Sequence, residues 1–184
     1  SVGHYTRLIP EAPGPHSRLE LWVNTHLPWD PSDSSATVKP KDVVIWAQGD
    51  RYAIASISNT WIEIDVLVAY APQTWKKPEE QVMQEHQALW HEITDALLKR
   101  PPPTRPLFLL GDLNTELGID QAQWHGIGTF QPSKTPSPQA DLLGRFVQNA
   151  RLHLPSTHKT HSTPRTTYQG KNRTRIDYVG VPYP

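Results

Sequence analysis

The run at residues 61–70 (WIEIDVLVAY) limits the possible folds of this chain more than any other stretch. It alternates polar and apolar residues at its start and then becomes continuously apolar. Alternation marks a strand with one buried face, and a continuous apolar run marks a strand covered on both faces. The run therefore reads as a central strand, ended by Ala71-Pro72. Shorter runs surround it: residues 19–25 (LELWVNT), 42–47 (DVVIWA) and 52–58 (YAIASIS), the last followed by a turn at Asn59-Thr60. Residues 107–110 (LFLL), 151–154, 166–169 and 175–181 supply the remaining strand signals. Nineteen prolines fall between these segments, as punctuation of loops.

Two segments carry the helical period. In residues 78–99, Val82, His86, Leu89, Ile93 and Leu97 recur on one face. Pro78, Glu79 and Glu80 suit the first turn, Lys99 and Arg100 suit the last, and the prolines from Pro101 stop the helix. In residues 139–150 the inner face is Leu142, Leu143, Phe146 and Val147. The Pro/Ser/Thr-rich residues 131–138 are expected to form a mobile loop. Many strands with two separated helices predict a single α/β domain in which two sheets pack face to face with helices outside.

Lys plus Arg and Asp plus Glu stand at 18 each, so the chain has no global positive field to draw it to nucleic acid. That counts against a stand-alone nucleic-acid binder but not against a hydrolase whose charge is local to a cleft. The absence of cysteine excludes disulfide scaffolds and Cys-based zinc sites. None of the nine histidines forms a zinc pattern: His158 and His161 are loosely spaced, and His86 and His91 fall on different helix faces. No apolar run approaches the length of a membrane span.

Candidate chemistry lies in short polar motifs at strand ends. Gly111-Asp112-Leu113-Asn114 follows LFLL directly. Asp112 can accept a proton from water or hold a metal, and Asn114 can donate its amide to a phosphate oxygen, though the same tetrapeptide also suits a plain β-turn. Asp177, in Arg175-Ile176-Asp177-Tyr178-Val179, interrupts an apolar strand. A buried carboxylate there would need a partner. It could orient a catalytic histidine, join a metal site, or pair with Arg173 or Arg175. Tyr70 closes the central strand, with a hydroxyl able to reach a phosphate. Thr167 could hydrogen-bond a phosphate backbone, and Lys171, Arg173 and Arg175 could contact a nucleic-acid backbone.

In order, these motifs are an apolar strand into Tyr-Ala-Pro, a long helix, LFLLGDLNTELG, a second helix, Thr-Tyr and RIDYVGVP. The arrangement resembles the endonuclease/exonuclease/phosphatase (DNase I-like) superfamily, and most of all the endonuclease domains of LINE-type retrotransposons, from about Leu19 onward. The resemblance implies a four-layer α/β/β/α sandwich, incomplete in this chain. It implies a metal-dependent phosphodiesterase using Mg²⁺, or Mn²⁺ in its place, with a lipid or sugar phosphatase of the same fold, or a non-catalytic remnant or interaction module, as the alternatives. It implies the DNA phosphate backbone as partner and nuclear location; the sequence itself leads us to expect no membrane span and no obligate protein partner. By resemblance Tyr70 matches the phosphate-contacting tyrosine, and Asp112 the aspartate that positions or activates water. Asn114 matches its companion, Thr167 a nearby threonine, and Asp177 the aspartate paired with the catalytic histidine.

Three groups of the family pattern have no counterpart: an asparagine on a first strand, a metal-binding glutamate on the next, and the histidine of a closing Ser-Asp-His. Glu11 and Glu20 lie in the wrong context to replace the glutamate. The chain is therefore expected to be a partial domain with exposed core surface and little activity on its own.

Overall fold

The computed structural model describes residues 5–8, 19–160, 168–169, 173–174 and 176–183. The strands and helices, in order, are β1 (Tyr5–Leu8), β2 (Leu21–Asn24), β3 (Val43–Gly49), β4 (Tyr52–Ser58), β5 (Glu63–Tyr70), α1 (Glu79–Leu98), β6 (Leu107–Asp112), α2 (Ala140–Asn149), β7 (Leu152–His153), β8 (Tyr168–Gln169), β9 (Arg173–Thr174) and β10 (Asp177–Pro182). Six strands form one sheet in the order β3-β4-β5-β6-β10-β7. Among the described strands of this sheet, β5 and β6 are the pair that runs parallel. A parallel pair needs a crossover, and α1 supplies it.

The two faces of the sheet carry different loads. On one face Tyr52, Ile54, Leu67, Ala69, Leu109 and Tyr178 pack against the helices, and Trp90 of α1 stacks on Phe146 of α2 with ring centroids 4.5 Å apart. On the other, Ile57, Val66, Val68 and Leu110 meet Val23 of β2 and Val38. The antiparallel β1–β2 pair thus forms a second layer. The expected α/β sandwich is present as a helix layer, a six-stranded sheet and this two-stranded layer; among the described residues no helix covers β1–β2 from outside. Beside β2, an apolar cavity of about 560 Å³ opens over this face, lined by Trp22, Leu27, Trp29, Ile64, Phe108 and Leu110 among others.

One strand goes unread in the sequence, and one local expectation changes. β1 carries no clear period, since four residues are too few to show one, and it is defined by its register with β2. Residues 131–138 are not a loose loop. Ser133 N–H donates to the Leu117 carbonyl at 2.8 Å, its hydroxyl donates to Glu116, and Ser137 exchanges bonds with the Glu116 backbone. Short hydroxyl side chains, read as loop formers, here satisfy the backbone they lie against.

At the start of β5, Asp65 is fully buried. It accepts hydrogen bonds from the Ser56 hydroxyl at 2.6 Å and from the Arg100 guanidinium, whose other arm donates to the Arg105 carbonyl. This ion pair ties β5 to the exit of α1 and the entry of β6. Removing one partner of such a pair strands a buried charge. Arg100→Ala is expected to destabilise the fold by ~3–5 kcal/mol in urea titration; a loss within ~0.5 kcal/mol, the range of ordinary surface changes, would show that the pair does not hold this corner.

Candidate functional site

The site follows from register. Tyr70 is the lateral partner of Asp112 across β5–β6, and Asp112 is the partner of Asp177 across β6–β10. Lateral partners share a sheet face. Leu109 and Tyr178 face the helices, so Asp112 and Asp177, one or three positions away, face the opposite side. A phenol and two carboxylates therefore form one row at the carboxyl ends of β5 and β6.

Gly111 makes the row possible. A Cβ on this residue would lie 2.1 Å from the Ala69 carbonyl oxygen. No side chain fits between these strands at their paired spacing. Beyond it the chain is sewn to both neighbours: Ala71 N–H donates to the Asp112 carbonyl at 2.9 Å, and Leu113 N–H donates to the Ile176 carbonyl at 2.8 Å. Gly111→Ala is expected to cost ~1–3 kcal/mol, as overpacking does, and to separate Tyr70 from Asp112; chemical denaturation with NMR of the two residues checks both effects.

Asn114 adopts φ 45°, a left-handed conformation that asparagine tolerates better than most residues. Its backbone N–H donates to Asp112 Oδ1 at 3.1 Å, and Gln139 Nε2 donates to its carbonyl. Its side-chain amide was expected to serve a phosphate. One N–H instead donates to the Ala71 carbonyl at 2.9 Å, leaving the second. The turn reading and the site reading of GDLN thus hold together: the turn aims the aspartate.

The Tyr70 hydroxyl accepts a hydrogen bond from Gln73 Nε2 at 2.6 Å, and the Arg51 guanidinium lies 5.8 Å from the tyrosine ring centre. Neither Gln73 nor Arg51 stands out in the sequence. Gln73 follows Tyr-Ala-Pro by one position, and only the turn brings it back. His86, read as one residue of a helix face, is fully buried and donates from Nε2 to the Pro72 carbonyl at 2.9 Å. Burial holds its imidazole below the ordinary pKa, so it anchors the exit of β5 as a neutral ring.

Asp177 differs from expectation in its surroundings. It is exposed rather than buried, because β10 begins at this residue and its side chain stands at the rim. Thr167 and Lys171 lie outside the described residues. Arg173 belongs to β9, whose backbone pairs with Gln169, and only that backbone is described.

Burial raises the pKa of Asp112; the Asn114 N–H pulls it down, and the Asp177 carboxylate pushes it further up. A partly buried carboxylate that faces a second carboxylate makes Asp112 the candidate for chemistry at this row. Among the described residues no group of three or more His, Cys, Asp or Glu converges as a metal site. Two facing carboxylates still fit a hard cation, since Mg²⁺ keeps several waters and takes one or two carboxylates plus substrate oxygens. They match zinc less well, since its sites are built chiefly on imidazole and thiolate donors.

Neither the family models nor the curated proteins yield a match to this chain. Among solved structures it is similar to the endonuclease domain of TRAS1, a telomere-specific non-LTR retrotransposon, at 19% identity and a TM-score of 0.51, over 76% of this chain and 53% of that one. The chain has a DNase I-like fold. A 3′ phosphatase from Neisseria, solved with a product DNA hairpin, matches at 19% identity and a TM-score of 0.48, over 79% of this chain and 59% of that one. Sphingomyelinase C from Streptomyces griseocarneus matches at 14% and 0.44, over 72% and 42%. The chain spans about half the length of these structures. Within the DNase I-like sheet, the candidate row occupies the ends of three adjacent strands.

Because the Asp112 pKa is raised on folding, its ionisation opposes the fold. Its contribution is present at acid pH and lost as pH rises through the raised value. Asp112→Asn is expected to raise the melting temperature at neutral pH, and the gain should shrink to nothing as pH falls below the ordinary carboxylate range. A neutral or lower melting temperature at pH 7 would contradict the strain assigned to this residue.

Proposed function

We propose that the Tyr70, Asp112 and Asp177 row belongs to a metal-dependent phosphodiesterase site, and that the chain is the DNA endonuclease domain of a retrotransposon-derived protein. One observation carries the reading: a phenol and two carboxylates share a row across β5, β6 and β10, with the middle carboxylate raised in pKa. The shape shared with the TRAS1 endonuclease domain supports it.

The chemistry follows from the side chains. A carboxylate of raised pKa is the better proton acceptor near neutrality, so Asp112 positions and activates the attacking water. The Tyr70 hydroxyl accepts from Gln73 and keeps its own hydrogen to donate to a phosphate oxygen. The second amide N–H of Asn114 is a further donor. Asp112 and Asp177 would hold Mg²⁺ or Mn²⁺, which when bound supplies positive charge against that developing on the phosphate. Asp177 would also serve to orient a histidine, as the resemblance implies. Thr167, Lys171 and Arg173 are assigned to the DNA backbone, and nuclear location follows from that role.

The 184 residues contain no counterpart of the family's metal-binding glutamate or Ser-Asp-His histidine. One missing donor costs ~2.7–4 kcal/mol of transition-state stabilisation in comparable sites. Plasmid nicking by this chain alone with Mg²⁺ is therefore expected near background. Metal binding tests the site directly: Mn²⁺ should bind weakly by electron paramagnetic resonance, and Asp112→Ala and Asp177→Ala should each abolish it. Binding indifferent to both substitutions would remove the proposed site. Added to that assay, a substrate panel that shows hydrolysis of a sugar or lipid phosphate in preference to DNA would move the reading to a phosphatase.

A further inference from the structure

The loop leaving β5 beside Tyr70 carries the most exposed tryptophan of the chain. Trp75 is 75% exposed. Indole rings are large and usually buried in good part, so a ring held in water needs a reason. Its neighbour Lys76 adopts φ 61°, in the left-handed region that lysine seldom occupies, and places its ammonium 4.2 Å from the indole ring centre. Backbone strain of this kind concentrates at ligand-binding segments.

The loop is tied down on both sides of these two residues. Gln73 donates to the Tyr70 hydroxyl, and Lys77 forms a 2.5 Å ion pair with Glu85 of α1. Its Lys77 N–H also closes a turn onto the Thr74 carbonyl. The exposed indole is thus presented by a fixed turn, with one ring face backed by an ammonium and the rest open to solvent. The tie from Gln73 to Tyr70 lies two residues before it, so the loop that carries the indole leaves from the candidate row.

A solvent-facing aromatic ring with a cation beside it, adjoining a phosphate site, is the arrangement that holds unpaired bases. The ring stacks on any base face, and the cation serves the adjoining phosphate. We propose that Trp75 is a stacking platform for an unpaired base next to the phosphodiester at the Tyr70 and Asp112 row, with Lys76 on the neighbouring phosphate. The inference rests on the phosphodiesterase reading and deepens it: the substrate is a nucleic acid with an unpaired base beside the cut, not a lipid or sugar phosphate.

The test is fluorescence anisotropy of the full chain with a labelled single-stranded oligonucleotide of about 15 nucleotides, in Ca²⁺. Trp75→Ala should weaken binding by about tenfold, and Trp75→Phe should keep most of it. A blunt duplex of the same sequence should be affected much less. Lys76→Ala should lower the slope of log affinity against log salt by about one. The platform is overturned if Trp75→Ala binds the single strand as tightly as the wild type, if it weakens strand and duplex equally, or if neither is bound. It is also overturned if Trp75 emission shifts to the blue with phosphatidylcholine vesicles and not with the oligonucleotide. Mn²⁺ binding separates this inference from the one beneath it. Asp112-dependent Mn²⁺ binding with oligonucleotide affinity indifferent to Trp75 keeps the site and sinks the platform. Trp75-dependent binding with Mn²⁺ indifferent to Asp112 does the reverse.

Discussion

The close approach of β5 and β6 at Gly111 governs the rest of this structure. The two strands pair in parallel from Asp65–Leu107 to Tyr70–Asp112, and at Ala69 the carbonyl lies where any side chain on the facing residue would be. The parallel pair requires a crossover, so α1 must span the sheet. The crossover brings Arg100 to Asp65 at one end and lets the Tyr-Ala-Pro exit meet GDLN at the other. Everything at the candidate site, including the lateral match of Tyr70 to Asp112, inherits its alignment from this one pairing.

The two ends of the pair hold charge in opposite ways. At the Asp65 end a buried carboxylate meets a guanidinium and a hydroxyl, so the charge is satisfied and the corner is locked. At the Asp112 end a half-buried carboxylate faces another carboxylate, and its principal compensation is a backbone N–H from Asn114. The first arrangement stabilises a fold; the second leaves electrostatic strain at the rim of the sheet. The core of both helices against the inner sheet face makes that strain affordable, since the site takes only one strand end from each of three well-paired strands.

Much of this was legible in the sequence because it is local. The double-sided burial of β5 showed as a run without alternation, α1 as a recurring apolar face with acidic residues at its start and prolines after its end, and the turn at GDLN from its residue types. The order of the motifs carried the resemblance to the DNase I-like families. What the sequence could not show is set by pairing between distant segments. The exposure of Asp177 depends on where β10 begins, the placement of Gln73 on the Tyr70 hydroxyl on the path of the turn, and the anchoring of residues 131–138 on the Glu116 backbone. Asp65 is similar: its position in an alternating run marks it as polar, but only the tertiary fold supplies Arg100 and so allows complete burial. Asn114 shows the two kinds of information meeting, since its left-handed φ is a local preference while its amide bond to Ala71 crosses to another strand.

With no net charge overall, the chain cannot gather a polyanion at long range. The immediate surroundings of the row are worse than neutral, because Asp112 and Asp177 repel a phosphate as they repel each other. Lys77 is matched to Glu85, and the cation beside the row is the Arg51 guanidinium, 5.8 Å from the Tyr70 ring centre. On the proposed reading, a phosphate group over the two carboxylates therefore gains most when further positive charge arrives with it or before it. By linkage, a cation that favours the phosphate must itself be favoured by the phosphate to the same degree. Two carboxylates with no third ligand among the described residues give such a cation only modest affinity alone. Cation and phosphodiester are thus expected to enter as a pair, with the pairing set by the distance across β6 and β10 and not by the average charge of the protein.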